Sequence, residues 1–135
     1  MSSPLPVVLF AFEGVQALDV TGPASVFAAA NDAVGSAHYK VHIVSAAGGV
    51  IQSNSAVGIA TRPLKDLRPA SVDTLLIAGG DEDALLALAD DVAVRRWIMG
   101  IYAAGQSAGF IGAVIGAIVV LFIYNLIVRG RRPVV

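Results

Sequence analysis

Residues 112–132 read GAVIGAIVVLFIYNLIVRGRR. How this stretch is read decides the fold. As a buried core helix it closes one α/β domain; as a membrane span it leaves the chain before it only partly built. A helix needs about 20 apolar residues to cross a bilayer core. Residues 108–128 supply 21, with Asn125 the one strongly polar side chain, and Arg129, Arg131 and Arg132 follow at once. Apolar spans commonly stop at such basic residues, and Tyr124 near that end suits an interface position. Gly112 and Gly116 form a GxxxG spacing, and Gly105 and Gly109 continue a small-residue ridge that favours close helix packing. A soluble helix normally keeps one polar face. This stretch has none, so a transmembrane helix is expected over 108–128, after a linker at 99–107 and before a basic tail at 129–135.

The rest of the chain is different in kind. All ten acidic residues precede residue 92, and no charge occurs between Trp97 and Val128. With 135 residues the chain holds one modest domain. There is no cysteine, which excludes disulfides, thiolate metal sites and a cysteine nucleophile within this chain. The two histidines, His38 and His42, flank one short segment and form no ligand cluster, so neither metal nor cofactor is expected. The acidic first segment gives no electrostatic footprint for nucleic acid. The N-terminus lacks a basic region, and Glu13 ends its short apolar run, so no secretory signal is read there. The expected placement is a single-pass membrane protein with its first segment in the cytoplasm.

PVVLFAF (6–12) is a continuous apolar run and reads as a strand buried on both faces. Thr21-Gly22-Pro23 reads as a helix start, with Val26, Phe27 and Ala30 toward the core and an end near Asn31. Residues 38–45 give a second strand, and 50–62 a small hairpin around Asn54-Ser55. VDTLLIAGG (72–80) is the next buried strand. Residues 82–98 read as one or two helices, with Asp81 or Asp83 capping the first, and Asp90 or Asp91 capping a second that ends near Arg95-Arg96. Strand, helix, strand, hairpin, strand, helix predicts a parallel sheet built from βαβ crossovers.

FEGVQALDVTGPASVFAAAN, YKVHIVSAAGGVIQSNSAVGI, PLKDL and VDTLLIAGG together resemble the ThiJ/PfpI (class I glutamine amidotransferase-like) superfamily over about residues 5–98. The nearest flavour is the N-terminal domain of AraC-type transcription regulators and the isocyanide hydratases. The resemblance implies a flavodoxin-like sheet, truncated here. It also implies a cysteine nucleophile on a sharp strand-to-helix elbow, assisted by an acid. Asp19 matches the acidic position; Gly79 and Gly80 match the loop whose amides line the ligand pocket. The elbow has no counterpart: YAAGQSAGF and the apolar run stand in its place, and QSAG lacks a preceding buried strand. Glu13 is a rival acid without an expected partner. His42 and Ser45 are strand neighbours and make no triad. The tail resembles the last transmembrane helix of the GlsB/YeaQ/YmgE transglycosylase-associated membrane proteins.

Without the family's next strand, 72–78 is left as an apolar sheet edge, a surface for pairing with a second copy. The sequence therefore reads as a non-catalytic ThiJ/PfpI-like domain tethered to a membrane, with a binding or regulatory role. Homodimerisation would use the open edge or the glycine-rich helix face. Two alternatives stand beside it: a small integral membrane protein of transglycosylase-associated type, and a cysteine-less hydratase- or amidotransferase-like enzyme using Asp19.

Overall fold

A computed structural model describes residues 3–104. The apolar run after the N-terminus forms β1 (Leu5–Phe10), flanked by β2 (Tyr39–Ser45) and β5 (Thr74–Ile77), both parallel to it. A hairpin of β3 (Gly49–Gln52) and β4 (Gly58–Pro63) joins the far side of β2. The sheet order is β3-β4-β2-β1-β5, mixed because the hairpin is antiparallel while β4 runs parallel to β2. The expected crossover topology is therefore present. Val7, Val8, Leu9 and Phe10 are buried without exception, as suits a central strand covered on both faces.

Register partners share a face. Val7 and Leu9 stand beside Val41 and Ile43, while Val8 and Phe10 stand beside His42 and Val44. Helix α1 (Ala17–Val34) lies on the first face, where Phe27 meets Tyr39 edge-on with ring centroids 5.0 Å apart. Asn31 ties the helix end to β2: its Nδ2 donates to the Tyr39 carbonyl and its Oδ1 accepts the Tyr39 N–H. Helices α2 (Glu82–Asp90) and α3 (Val92–Ala103) follow β5. Val94, Trp97 and Ile101 bury one stripe of α3, and the indole Nε1 donates to the Leu67 carbonyl at 2.8 Å.

Three boundaries differ from the sequence reading. α1 starts at Ala17, so Thr21-Gly22-Pro23 lies inside it, and Val26 faces solvent. α3 continues past Arg95-Arg96 to Ala103, because Trp97 and Ile101 extend its apolar stripe; the 99–107 linker thus begins as helix. β5 spans only four residues of the nine read as strand. It is an edge strand among the described residues, with Leu76 and Ile77 more than a third exposed. Asp91 caps α3 through the amides of Ala93 and Val94, whereas Asp81 makes no side-chain cap bond to α2. The proposed span 108–128, the tail 129–135, and Gly105, Gly109, Gly112 and Gly116 lie outside the described residues.

Candidate binding site at the carboxyl ends of the strands

In open α/β sheets, ligands lodge where parallel strands end and their connecting loops diverge. Here the loops after β1 and β5 are knitted together at that end. Gly79 gives its N–H to Asp19 Oδ2 at 2.9 Å and its carbonyl to the Gln16 N–H at 2.8 Å. This two-bond clasp holds the first turn of α1 against the end of β5. A carboxylate in a first helical turn is also favoured by the helix dipole. The contact leaves no room for a side chain at Gly79, where a Cβ would lie 2.6 Å from Asp19 Oδ2. At Gly80 a Cβ would lie 2.7 Å from the Gly14 carbonyl oxygen and 2.9 Å from Phe12 Cε2. The glycine pair is thus required by close approach of the two loops.

The structure brings Asp19 and Gly79 into contact, with Gly80 packed on Gly14. The Gly79 amide is already engaged by Asp19. Glu13, expected to have no partner, accepts the Gln52 N–H through Oε2 at 2.9 Å. His42 and Ser45 are separate, as read: Arg62 Nη1 donates to His42 Nδ1 at 3.1 Å, and Ser45 Oγ pairs with Thr61 Oγ1 at 2.6 Å. Because guanidinium only donates, the His42 ring carries its proton on Nε2. Burial first, and then the Arg62 and Lys40 charges, hold the His42 pKa below its ordinary value.

Beside the clasp, toward the hairpin, lies a cleft of about 560 Å³. Phe10 and Ile51 form its floor, Ala84, Ala87 and Leu88 of α2 form one wall, and the 45–48 loop forms another. Glu13, Asp83 and Asp91 also line it. Sequence reasoning missed this cleft, because its walls are ordinary apolar positions on separate elements. The one local signal was Glu13, a carboxylate directly after a buried strand.

The DJ-1/PfpI family profile matches residues 6–133. The chain belongs to the DJ-1/PfpI family. A curated relative from Streptomyces lividans, described as an uncharacterized protein in the cpoL 5' region, is 40% identical over 81 residues, covering 59% of this chain and 55% of that protein. The chain thus spans about half the length of that relative. Among solved structures, a putative transcriptional regulator from Vibrio parahaemolyticus superposes with a TM-score of 0.65 at 18% identity, over 77% of this chain and 54% of its own. The AraC family transcriptional regulator from Pseudomonas putida gives a TM-score of 0.51 at 20% identity, over 58% and 49%. Oxidized DJ-1 from Toxoplasma gondii gives 0.58 at 13%, over 76% and 52%. At these identities the structural likeness shows the fold.

The DJ-1/PfpI match corrects one boundary drawn from sequence. It continues past residue 98 to residue 133 and so includes the apolar run assigned to a membrane-protein resemblance. Nothing in the comparisons supports that second resemblance. Among the described residues no helix is long and apolar enough to cross a membrane.

Proposed function

We propose that this DJ-1/PfpI chain is a non-catalytic domain that acts by binding, as a ligand-sensing or regulatory module. The observation that carries this reading is the Asp19–Gly79 clasp in a chain with no cysteine. The family chemistry implied by the resemblance needs a thiolate nucleophile, an acid beside it, and free backbone amides to hold developing negative charge. Here the acid and one amide of the implied pair satisfy each other. The regulator descriptions of two structural neighbours support a sensing role for such a domain. Purified chain should hydrate no isocyanide and turn over no glyoxal above background. Turnover that disappears in Asp19→Ala would overturn the proposal.

Membrane tethering through residues 108–128 is a second reading. It is favoured by one observation: 21 successive residues without a charge, followed by three arginines. The family match across the same residues weighs against it. Carbonate extraction decides: a tether keeps the chain in the membrane pellet, and complete release into the supernatant removes it.

A further inference from the structure

The β3–β4 hairpin is held unevenly. β2 pairs with β1 along its length, from Tyr39 to Val44, but with β4 at Val44 and Ser45 alone. The turn end of the hairpin is tied to the loop after β1: Gln52 gives its carbonyl to the Gly14 N–H and its N–H to Glu13, and the Asn54 N–H donates to the Val15 carbonyl. At the other end, among the described residues, two side chains of β2 hold β4. Ser45 Oγ pairs with Thr61 Oγ1 at 2.6 Å, and His42 Nδ1 accepts from Arg62 Nη1 at 3.1 Å. The second contact exists in one protonation state only, because an imidazolium donates from both nitrogens and accepts from neither. The charges that act on the ring are the Arg62 guanidinium of β4 and the Lys40 ammonium of β2. β1 carries no charge and places Val8 beside His42, while α1, with Asp19 and Asp32, lies on the opposite face of the sheet. No carboxylate among the described residues is paired with the ring.

We propose that the hairpin is an acid-released flap: a proton taken up at His42 parts β4 from β2, and the hairpin turns about Gln52–Asn54 and loosens the side of the cleft lined by Val50 and Ile51. Arg62 is exposed and can swing into solvent by itself, which relieves the repulsion. His42 is only 8% exposed, so that movement alone leaves a buried imidazolium with neither acceptor nor water, a costly state. Parting β4 from β2 hydrates the ring at the cost of a short ladder, whereas parting β1 from β2 breaks a long one. Burial, Arg62 and Lys40 hold the docked ring below its ordinary pKa, so the detached ring protonates first as pH falls below about 6.5. Opening then grows by up to about tenfold for each pH unit until the docked ring also titrates. Above that window both forms are neutral and the flap stays docked. The release follows whatever the cleft holds, and so stands apart from the binding role.

Hydrogen exchange of the full chain, read by mass spectrometry at about pH 7.5 and about pH 5.5 and corrected for intrinsic exchange rates, tests the flap. On acidification the β4 segment 58–62 should lose at least about threefold more protection than the β1 segment 5–10, which reports the rest of the sheet. His42→Asn keeps a side-chain oxygen that can accept from Arg62 but cannot titrate, so it should abolish the excess while leaving the hairpin docked at neutral pH. Arg62→Gln offers an amide that donates to the neutral ring and accepts from the protonated one, and it should at least halve the excess. That variant lies on an exposed residue and decides the matter if His42→Asn does not fold. Equal loss of protection in the two segments, or an excess that survives undiminished in either variant, would overturn the proposal.

Discussion

Replacing Gly79 by Ala puts a Cβ 2.6 Å from Asp19 Oδ2, and the next nearest atom, Asp19 Cγ, is 3.9 Å away. The obstacle is therefore one side chain, and its carboxylate can swing out of the way. The cost of Gly79→Ala is then bounded by what the Asp19 contact contributes. A hydrogen bond to a charged group is worth ~1.5–3 kcal/mol where it is shielded from water. Asp19 is exposed, so solvent screening reduces this to about 1 kcal/mol. Its place in the first turn of α1 adds ~0.5 kcal/mol from the helix dipole. Asp19→Ala should cost about 1–1.5 kcal/mol and Gly79→Ala about 1 kcal/mol, and the double variant about as much as Asp19→Ala alone rather than the sum. For a domain of this size that is a midpoint drop of roughly 4–8 °C. Urea unfolding followed by fluorescence of the single, buried Trp97 measures all three variants. If the two single costs add to within about 0.3–0.5 kcal/mol, the glycine is not there to admit Asp19 and the clasp argument fails.

Gly80→Ala should cost more, about 2–3 kcal/mol, because its Cβ meets the Gly14 backbone oxygen and the Phe12 ring, which cannot swing aside. A smaller loss than in Gly79→Ala would contradict this ordering. Asp91→Ala removes the side-chain acceptor for the Ala93 and Val94 amides and should cost about 1 kcal/mol, read by the same unfolding curves. His42 should make stability fall in mild acid. Its folded pKa lies below the ordinary 6.5, so as pH drops below 6.5 the unfolded chain takes up the proton first and is favoured. Well above 6.5 both states hold His42 neutral, and it contributes no slope. In His42→Asn the part of the slope around and below pH 6.5 that belongs to this ring should vanish; an unchanged slope assigns the acid sensitivity to the carboxylates instead.

The sheet was legible in the sequence because each strand carried a period or burial signal of its own. PVVLFAF reads as a doubly buried strand by its unbroken apolar run, and β2 by its alternation. The hairpin was marked by its turn residues, and there the Ser53 hydroxyl accepts the Ser55 and Val57 amides. Helix ends were read less well. Arg95-Arg96 looks like a helix end by its charge, yet α3 continues because Trp97 and Ile101 find the core. Asp19 and Gly79 were each singled out only through family resemblance, and their pairing was not legible, since the two residues are 60 apart and nothing local joins them. The cleft was not legible at all, because it depends on how far α2 stands from Phe10, a distance that no local pattern encodes.

The misplaced start of α1 shows what the clasp does. Gly22-Pro23 is a sound helix-start signal, since proline lacks an N–H and disfavours helical geometry in the residue before it. Glycine before the proline relaxes the second objection, because it has no Cβ to clash. The first remains: Pro23 has no N–H to give the Asp19 carbonyl, so the first turn of α1 is weakly tied to the rest of the helix. Gln16, at the N-cap, contributes no side-chain bond either. Residues 17–22 are therefore helical because tertiary contacts hold them there. Val20 is fully buried, and Gly79 binds both Gln16 and Asp19. A sequence rule that weighs only local propensity must start the helix at Pro23; the fold starts it at Ala17 because a loop 60 residues away completes the turn. Asp19, which the resemblance matches to the family's acidic position, thus helps to build α1 in this chain.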